Sequence, residues 1–171
     1  MAELKGVKKL DKKVSKFTEK FGCTAEMGSE FCYWKGEDLI NYSLLVGLAS
    51  DGLWREYVLK NFNYKIENIF MFSLLHEIGH HLTMDNFSKK MRNAEVKKVE
   101  KIEEKLSESN SEIIFRNLNL EYFDLPMERV ATKWAVNFSK KHRRFLKRFW
   151  KSFQKDLYAF YALNGIKLNL S

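Results

Sequence analysis

Apolar residues recur every three or four positions over most of this chain, and one stretch breaks that rhythm. Leu4, Val7, Leu10, Val14 and Phe17 follow the helical spacing with lysines filling the other faces, which predicts an amphipathic helix over the first twenty residues. From about Phe21 to Val46 the pattern changes. Gly22, Gly28 and Gly36 punctuate short runs rich in aromatics and Thr, so two or three short strands with tight turns are expected there, forming the only sheet.

Helical spacing then returns. Asn63 is placed to cap a helix running from about Tyr64 to Thr83, with Met71, Leu74, Leu75, Ile78 and Leu82 as its apolar stripe. Ile66, Ile69, Phe70 and Phe72 add apolar groups on its other faces, the mark of a central, buried helix. Polar residues inside such a helix need a reason to be there. From Ser88 to about Glu112, Lys and Glu surround Met91, Val96, Val99, Ile102 and Leu106, which predicts a surface helix with a narrow buried seam. After Asp124-Leu125-Pro126, one helix is expected through about Ser139 and another through about Leu163, closing at Asn164-Gly165.

Neither a repeat nor a linker divides the 171 residues, so they read as one domain, with a core over about 21–140 and helical extensions at both ends. A chain of this length folds without a metal staple, so a metal here would be functional first. Hydrophobic residues at 45% are too many for a disordered chain, yet they are spread too evenly for a membrane span. Lysines interrupt every apolar run before Lys20, so no export signal is read and a cytoplasmic setting is expected, with Cys23 and Cys32 as free thiols. The net charge of +8 fits simple solubility as well as it fits a nucleic-acid partner.

The polar residues of the buried helix are His76-Glu77-Ile78-Gly79-His80. Histidines four apart on a helix project from one face, where both can reach a single zinc ion (Zn2+) and leave room for a third ligand and an open position. Glu77 can then serve as general base toward a water made acidic by the metal, for attack on a polarised carbonyl. With backgrounds of about 2% His and 6% Glu, a random chain of this length shows the pattern well under one time in a hundred. Gly79 would cost about 1 kcal/mol relative to Ala inside a helix, which suggests close approach of another backbone or side chain beside the metal.

Leu75-His76-Glu77-Ile78-Gly79-His80 resembles the metal-binding helix of the zincin metallopeptidases. Thr83 and Asn86 stand where the metzincin branch has Gly and His, so that branch does not fit. Glu128-Arg129-Val130-Ala131-Thr132-Lys133-Trp134-Ala135 resembles the helix that supplies the third ligand in the gluzincin branch. Glu128, Ala131, Thr132 and Ala135 share one face there, and the small alanines would let the two helices lie close. Over about Ile66 to Phe138 the chain is similar to the compact ImmA/IrrE-like metallopeptidases of bacteria and phages. The resemblance implies a mostly helical α+β, minimal gluzincin fold with a small amino-terminal sheet. It further implies zinc held by His76, His80 and Glu128, and hydrolysis of a protein or peptide substrate with Glu77 as base.

Other residues compete for roles. Asp85 is an alternative third ligand, and Glu95, Glu100, Glu112 and Glu121 are further acids, of which those on the Lys/Glu helix read more simply as solvated charges. His81 points about a hundred degrees away from the metal face and reads as a surface or capping residue. Tyr122 and His142 are candidates for stabilising an oxyanion. The stretch around Phe31-Cys32-Tyr33-Trp34 reads first as a core strand and second as an edge strand for an extended substrate. Interleaved cations and aromatics from Lys140 to Lys151 could grip nucleic acid, which makes a metal-binding but non-proteolytic interaction domain the rival reading; a solvated helix face is the simpler one.

Overall fold

The computed structural model describes residues 6–44 and 49–165, so Leu4 and Val46 lie outside the described residues. Helix α1 (Val7–Thr18) buries Leu10, Val14 and Phe17, as its spacing predicts, and Gly22 ends the following turn at φ 86°. Strands β1 (Thr24–Met27), β2 (Cys32–Trp34) and β3 (Leu39–Tyr42) make a three-stranded sheet in the order β1-β3-β2. The central strand β3 runs parallel to β1 and antiparallel to β2, and its Ile40 and Tyr42 point into the core. Asp11 ties helix to sheet by accepting from the Tyr42 hydroxyl at 2.8 Å and from the Met27 amide at 2.9 Å. The fold is thus mostly helical with one small amino-terminal sheet.

Helix α2 (Ala49–Phe62) has no counterpart in the apolar pattern. Asn63 does not start the next helix but terminates this one. It takes the left-handed conformation at φ 47°, and its amide donates to the Leu59 carbonyl. The start lies five residues on, where the Asn68 side chain accepts from the Met71 amide at 2.8 Å and opens α3 (Ile69–Thr83). Every residue of α3 from Phe70 to His80 is buried, whereas Leu82, counted in the stripe, is exposed.

Helix α3 packs on the sheet and on α6 (Pro126–Lys141); α4 (Lys89–Glu108) and α5 (Glu112–Phe123) lie against each other and α6, and α7 (Arg143–Leu163) against α1 and α6. Rings hold the layers together, with Phe70 stacked on Phe153 at 4.8 Å and Phe17 against Phe149 at 4.5 Å. Phe145, Phe149 and Trp150 of the basic run pack against this core. The seam of α4 is shorter than its periodicity implies. Ile102 is buried with Val99 and Leu106 beside it, but Met91 and Val96 are 51% and 50% exposed. In the amino-terminal half of α4 the buried residue is instead Glu95.

Both cysteines are free thiols. No helix among the described residues is long and apolar enough to cross a membrane.

Candidate metal centre

On α3 the four-residue spacing sets the His76 and His80 rings on one face, with their Nε2 atoms 3.1 Å apart. Glu128 reaches them from α6. Its Oε2 lies 3.0 Å from His76 Nε2 and its Oε1 3.3 Å from His80 Nε2, and all three side chains are buried. A tetrahedral ion with ligand bonds of about 2.0–2.1 Å separates its donor atoms by roughly 3.3–3.4 Å. The observed triangle is close to that size, so these three residues fit a metal ion (among the described residues, the one such His/Cys/Asp/Glu group).

Two features bring Glu128 to this place. Pro126 opens α6 with no amide to satisfy, and Glu95 Oε1 accepts from the Met127 amide at 2.7 Å, doing from α4 what a cap residue does from its own chain. Further along, α6 and α3 touch backbone to backbone. A Cβ on Gly79 would stand 2.7 Å from the Ala131 carbonyl oxygen and 3.0 Å from its Cα, so only glycine permits the contact. The close approach expected at Gly79 is this one.

Charge makes the triangle a place that could hold a cation. Two imidazole nitrogens and a carboxylate cannot all direct lone pairs at one another in a dry core. Burial alone depresses His80, yet the Glu128 carboxylate outweighs it and raises the imidazole to about 9. Burial likewise raises the Glu128 carboxyl, and the two histidines more than reverse that, holding it far below the usual carboxylate range. A proton on His80 thus stands where a metal ion would supply the charge. In the tautomer a metal requires, His76 Nδ1–H donates to Thr132 Oγ1 at 3.2 Å, which keeps Nε2 turned to the triangle. Trp54 meets the other side of the His76 ring edge to face at 5.1 Å.

Glu77 is buried beside the triangle. Burial pushes its carboxyl up, His76 and His80 pull it back, and Glu128 adds to the rise. Two cavities meet at this point. One, of about 350 Å³, is lined by Trp54, Asp51, Ser73 and His76. The other, of about 330 Å³, lies under α4 and is lined by His80, Glu95, Val99 and Glu103. Glu77, Tyr122 and Glu128 border both. Burial, then Glu128 and Glu77, drives the Tyr122 hydroxyl well above the ordinary phenol range, as expected of a phenol against two carboxylates.

The remaining candidates lie elsewhere. Asp85 is 85% exposed and pairs with Lys35. Glu100 sits on the rim of the second cavity, while Glu112 and Glu121 are exposed and outside the cluster. Glu95 is a correction to the reading of α4 acids as solvated, because the backbone amide it caps pulls it inside. His81 bridges β2 and the turn that precedes β1, with Nδ1 3.0 Å from the Tyr33 hydroxyl and Nε2 3.1 Å from the Phe21 carbonyl oxygen. His142 stacks on Phe138 just past the end of α6, about 20 Å along that helix from Glu128, whereas Tyr122 stands on the wall of both cavities. Strand β2 is an edge strand rather than a core one, with Trp34 52% exposed and Phe31, Cys32 and Tyr33 on the wall of the second cavity.

Trp54 and Asp51 were beyond the sequence reading because α2 itself was. An i, i+3 aromatic search around Trp54, with Tyr57 and Val58 buried, is the signal that points to it. Compared with protein-family models, with curated proteins and with solved structures, the chain matches none.

Proposed function

We propose that the protein is a zinc-dependent metallopeptidase that hydrolyses peptide bonds in a protein or peptide substrate. The observation that carries this reading is the buried triangle of His76, His80 and Glu128 with the Glu77 carboxylate beside it where two cavities meet. Zinc bound by these three residues supplies Lewis-acid chemistry, acidifying a water and polarising a carbonyl. Glu77 accepts the proton of the attacking water and returns it to the departing amine, a task helped by a carboxyl pKa raised through burial. Tyr122 donates its hydroxyl to the carbonyl oxygen as negative charge grows on it. An extended peptide pairs with the free edge of β2 and lays its side chains into the two cavities.

Elemental analysis of purified protein tests the ligand set without a known substrate. About one zinc per chain is expected in the wild type, and loss of it in both His76→Ala and Glu128→Ala. A wild type without metal ends the proposal. Digestion of a peptide library then tests the reaction: zinc-loaded protein that cuts nothing, and behaves as Glu77→Gln does, would leave a metal-binding interaction domain.

A further inference from the structure

The charge of the chain is concentrated on one layer. Residues 7–20 and α7 together hold twelve Lys and Arg against Asp11, Glu19 and Asp156, an excess of nine, while the whole chain carries +8. The remainder of the chain therefore sums to −1, the difference between +8 and +9.

The two segments lie side by side. Lys9 and Lys13 meet Asp156, Phe17 meets Phe149, and Lys20 lies 4.6 Å over the Phe145 ring, so the partner number falls as the α1 number rises and the helices run antiparallel. Between them runs an open groove lined by lysines of α1, with Phe17 and Phe149 as its floor. Some cations are occupied: Lys9 and Lys13 by Asp156, Arg143 and Lys147 by Glu67. Lys12, Lys16, Arg144, Arg148, Lys151 and Lys155 are exposed and form no ion pair with a described residue. Helical spacing aligns them as two stripes, Lys12 with Lys16 on α1 and the other four at i, i+4, i+7 and i+11 on α7.

From this arrangement we infer that the α1–α7 layer binds the phosphate backbone of a nucleic acid, without regard to base sequence. Six unpaired cations in two rows match a polyanion of regularly spaced charges, whose condensed counterions are released on contact. A membrane fits less well. Both helices turn their apolar faces inward, with Leu10, Val14, Phe153 and Phe160 in the core, and among the described residues of the two helices the exposed large apolar side chains are Tyr158 and Leu163, too few for a stripe that enters a bilayer. A protein partner would need a desolvated apolar anchor at the centre of the contact, but on the groove floor Phe17 is only 1% exposed and Phe149 is partly buried against the Phe17 ring. The exposed side chains of the two stripes are cations, which contact phosphates and not bases, so sequence selectivity is not expected.

Fluorescence anisotropy with labelled 20-base-pair duplexes of two unrelated sequences tests the inference on the full chain. Both duplexes are expected to bind within a factor of three of each other at 50 mM salt. Affinity should fall by up to about three orders of magnitude by 200 mM if all six cations engage phosphates. The variant Lys12→Gln, Lys16→Gln, Arg148→Gln, Lys151→Gln should lose at least tenfold. A control with the same charge change on α4, Lys89→Gln, Lys90→Gln, Lys97→Gln, Lys98→Gln, should lose less than threefold. Circular dichroism and zinc content, unchanged in both variants, establish that each is folded. Absence of binding at 50 mM salt overturns the inference, as do equal losses in the two variants. So does preferential binding to phosphatidylserine vesicles over the duplex at matched anionic charge.

Discussion

The α3–α6 seam and the α4–α5 pair both carry acids and apolar residues at helical spacing, yet they bury them to opposite ends. Along α3–α6 the buried polar groups face one another, two imidazoles against a carboxylate, and the helices touch through Gly79 and Ala131. In the α4–α5 pair the charged groups face water, Ile102 and Leu118 meet Leu125 in a small apolar cluster, and the one buried acid, Glu95, spends its carboxylate on a backbone amide. Burial alone therefore does not mark a chemical residue. What marks it is burial opposite other side chains that share a lone-pair problem, which a cation resolves and an amide does not.

The sharpest test of that difference is Glu77→Gln, expected to lower peptide cleavage by about 10²–10⁴-fold while zinc content stays at one per chain. A fall in zinc content instead would make Glu77 part of the ligand set. Gly79→Ala comes next. Its Cβ would collide with the Ala131 backbone, which cannot yield as a side-chain tip does, so a loss of about 3 kcal/mol in urea denaturation is expected together with weaker metal binding. Thr132→Val removes the partner of His76 Nδ1 with little change in volume. Zinc affinity by competition with a chelator should drop roughly 10–100-fold, and an unchanged affinity would deny Thr132 its orienting role.

On the α4–α5 side the effects are smaller. Glu95→Ala removes the cap on α6 and should cost about 1 kcal/mol in thermal or urea unfolding, with Glu95→Gln retaining much of it because an amide oxygen can still accept. Smallest is Val96→Ser, at an exposed position, expected within about 0.5 kcal/mol of wild type. A larger loss there would restore the longer buried seam that the periodicity of α4 implies.

These positions also show what could be read from residues alone. His76 and His80 were legible because helical spacing converts directly into a shared face, Glu128 because the stretch from Glu128 to Ala135 resembles the helix of the third gluzincin ligand, and Gly79 because a glycine inside a buried helix calls for a close neighbour. Helix α2 was not legible, since its apolar residues follow no single stripe: Tyr57 and Val58 are buried side by side while Leu59 is exposed. Asn63 misled because Asn serves both ends of a helix, as an acceptor at the start and as a residue tolerant of positive φ at the end. Glu95 escaped because its partner is a main-chain amide 32 residues away, for which a sequence carries no sign.

Fifty-two residues separate His76 from Glu128, and α4 and α5 occupy most of that interval. Both ends of the interval are anchored in the seam, so its length is nearly free to change: closing a flexible loop twice as long costs only about 0.6 kcal/mol more. The histidines and the glutamate would keep their triangle while the helix that roofs the second cavity grew, shrank or was exchanged. Variation in this arm is thus a route by which descendants of one fold could acquire different clefts over an unaltered centre, provided that whatever replaces α4 still presents an acceptor to the Met127 amide.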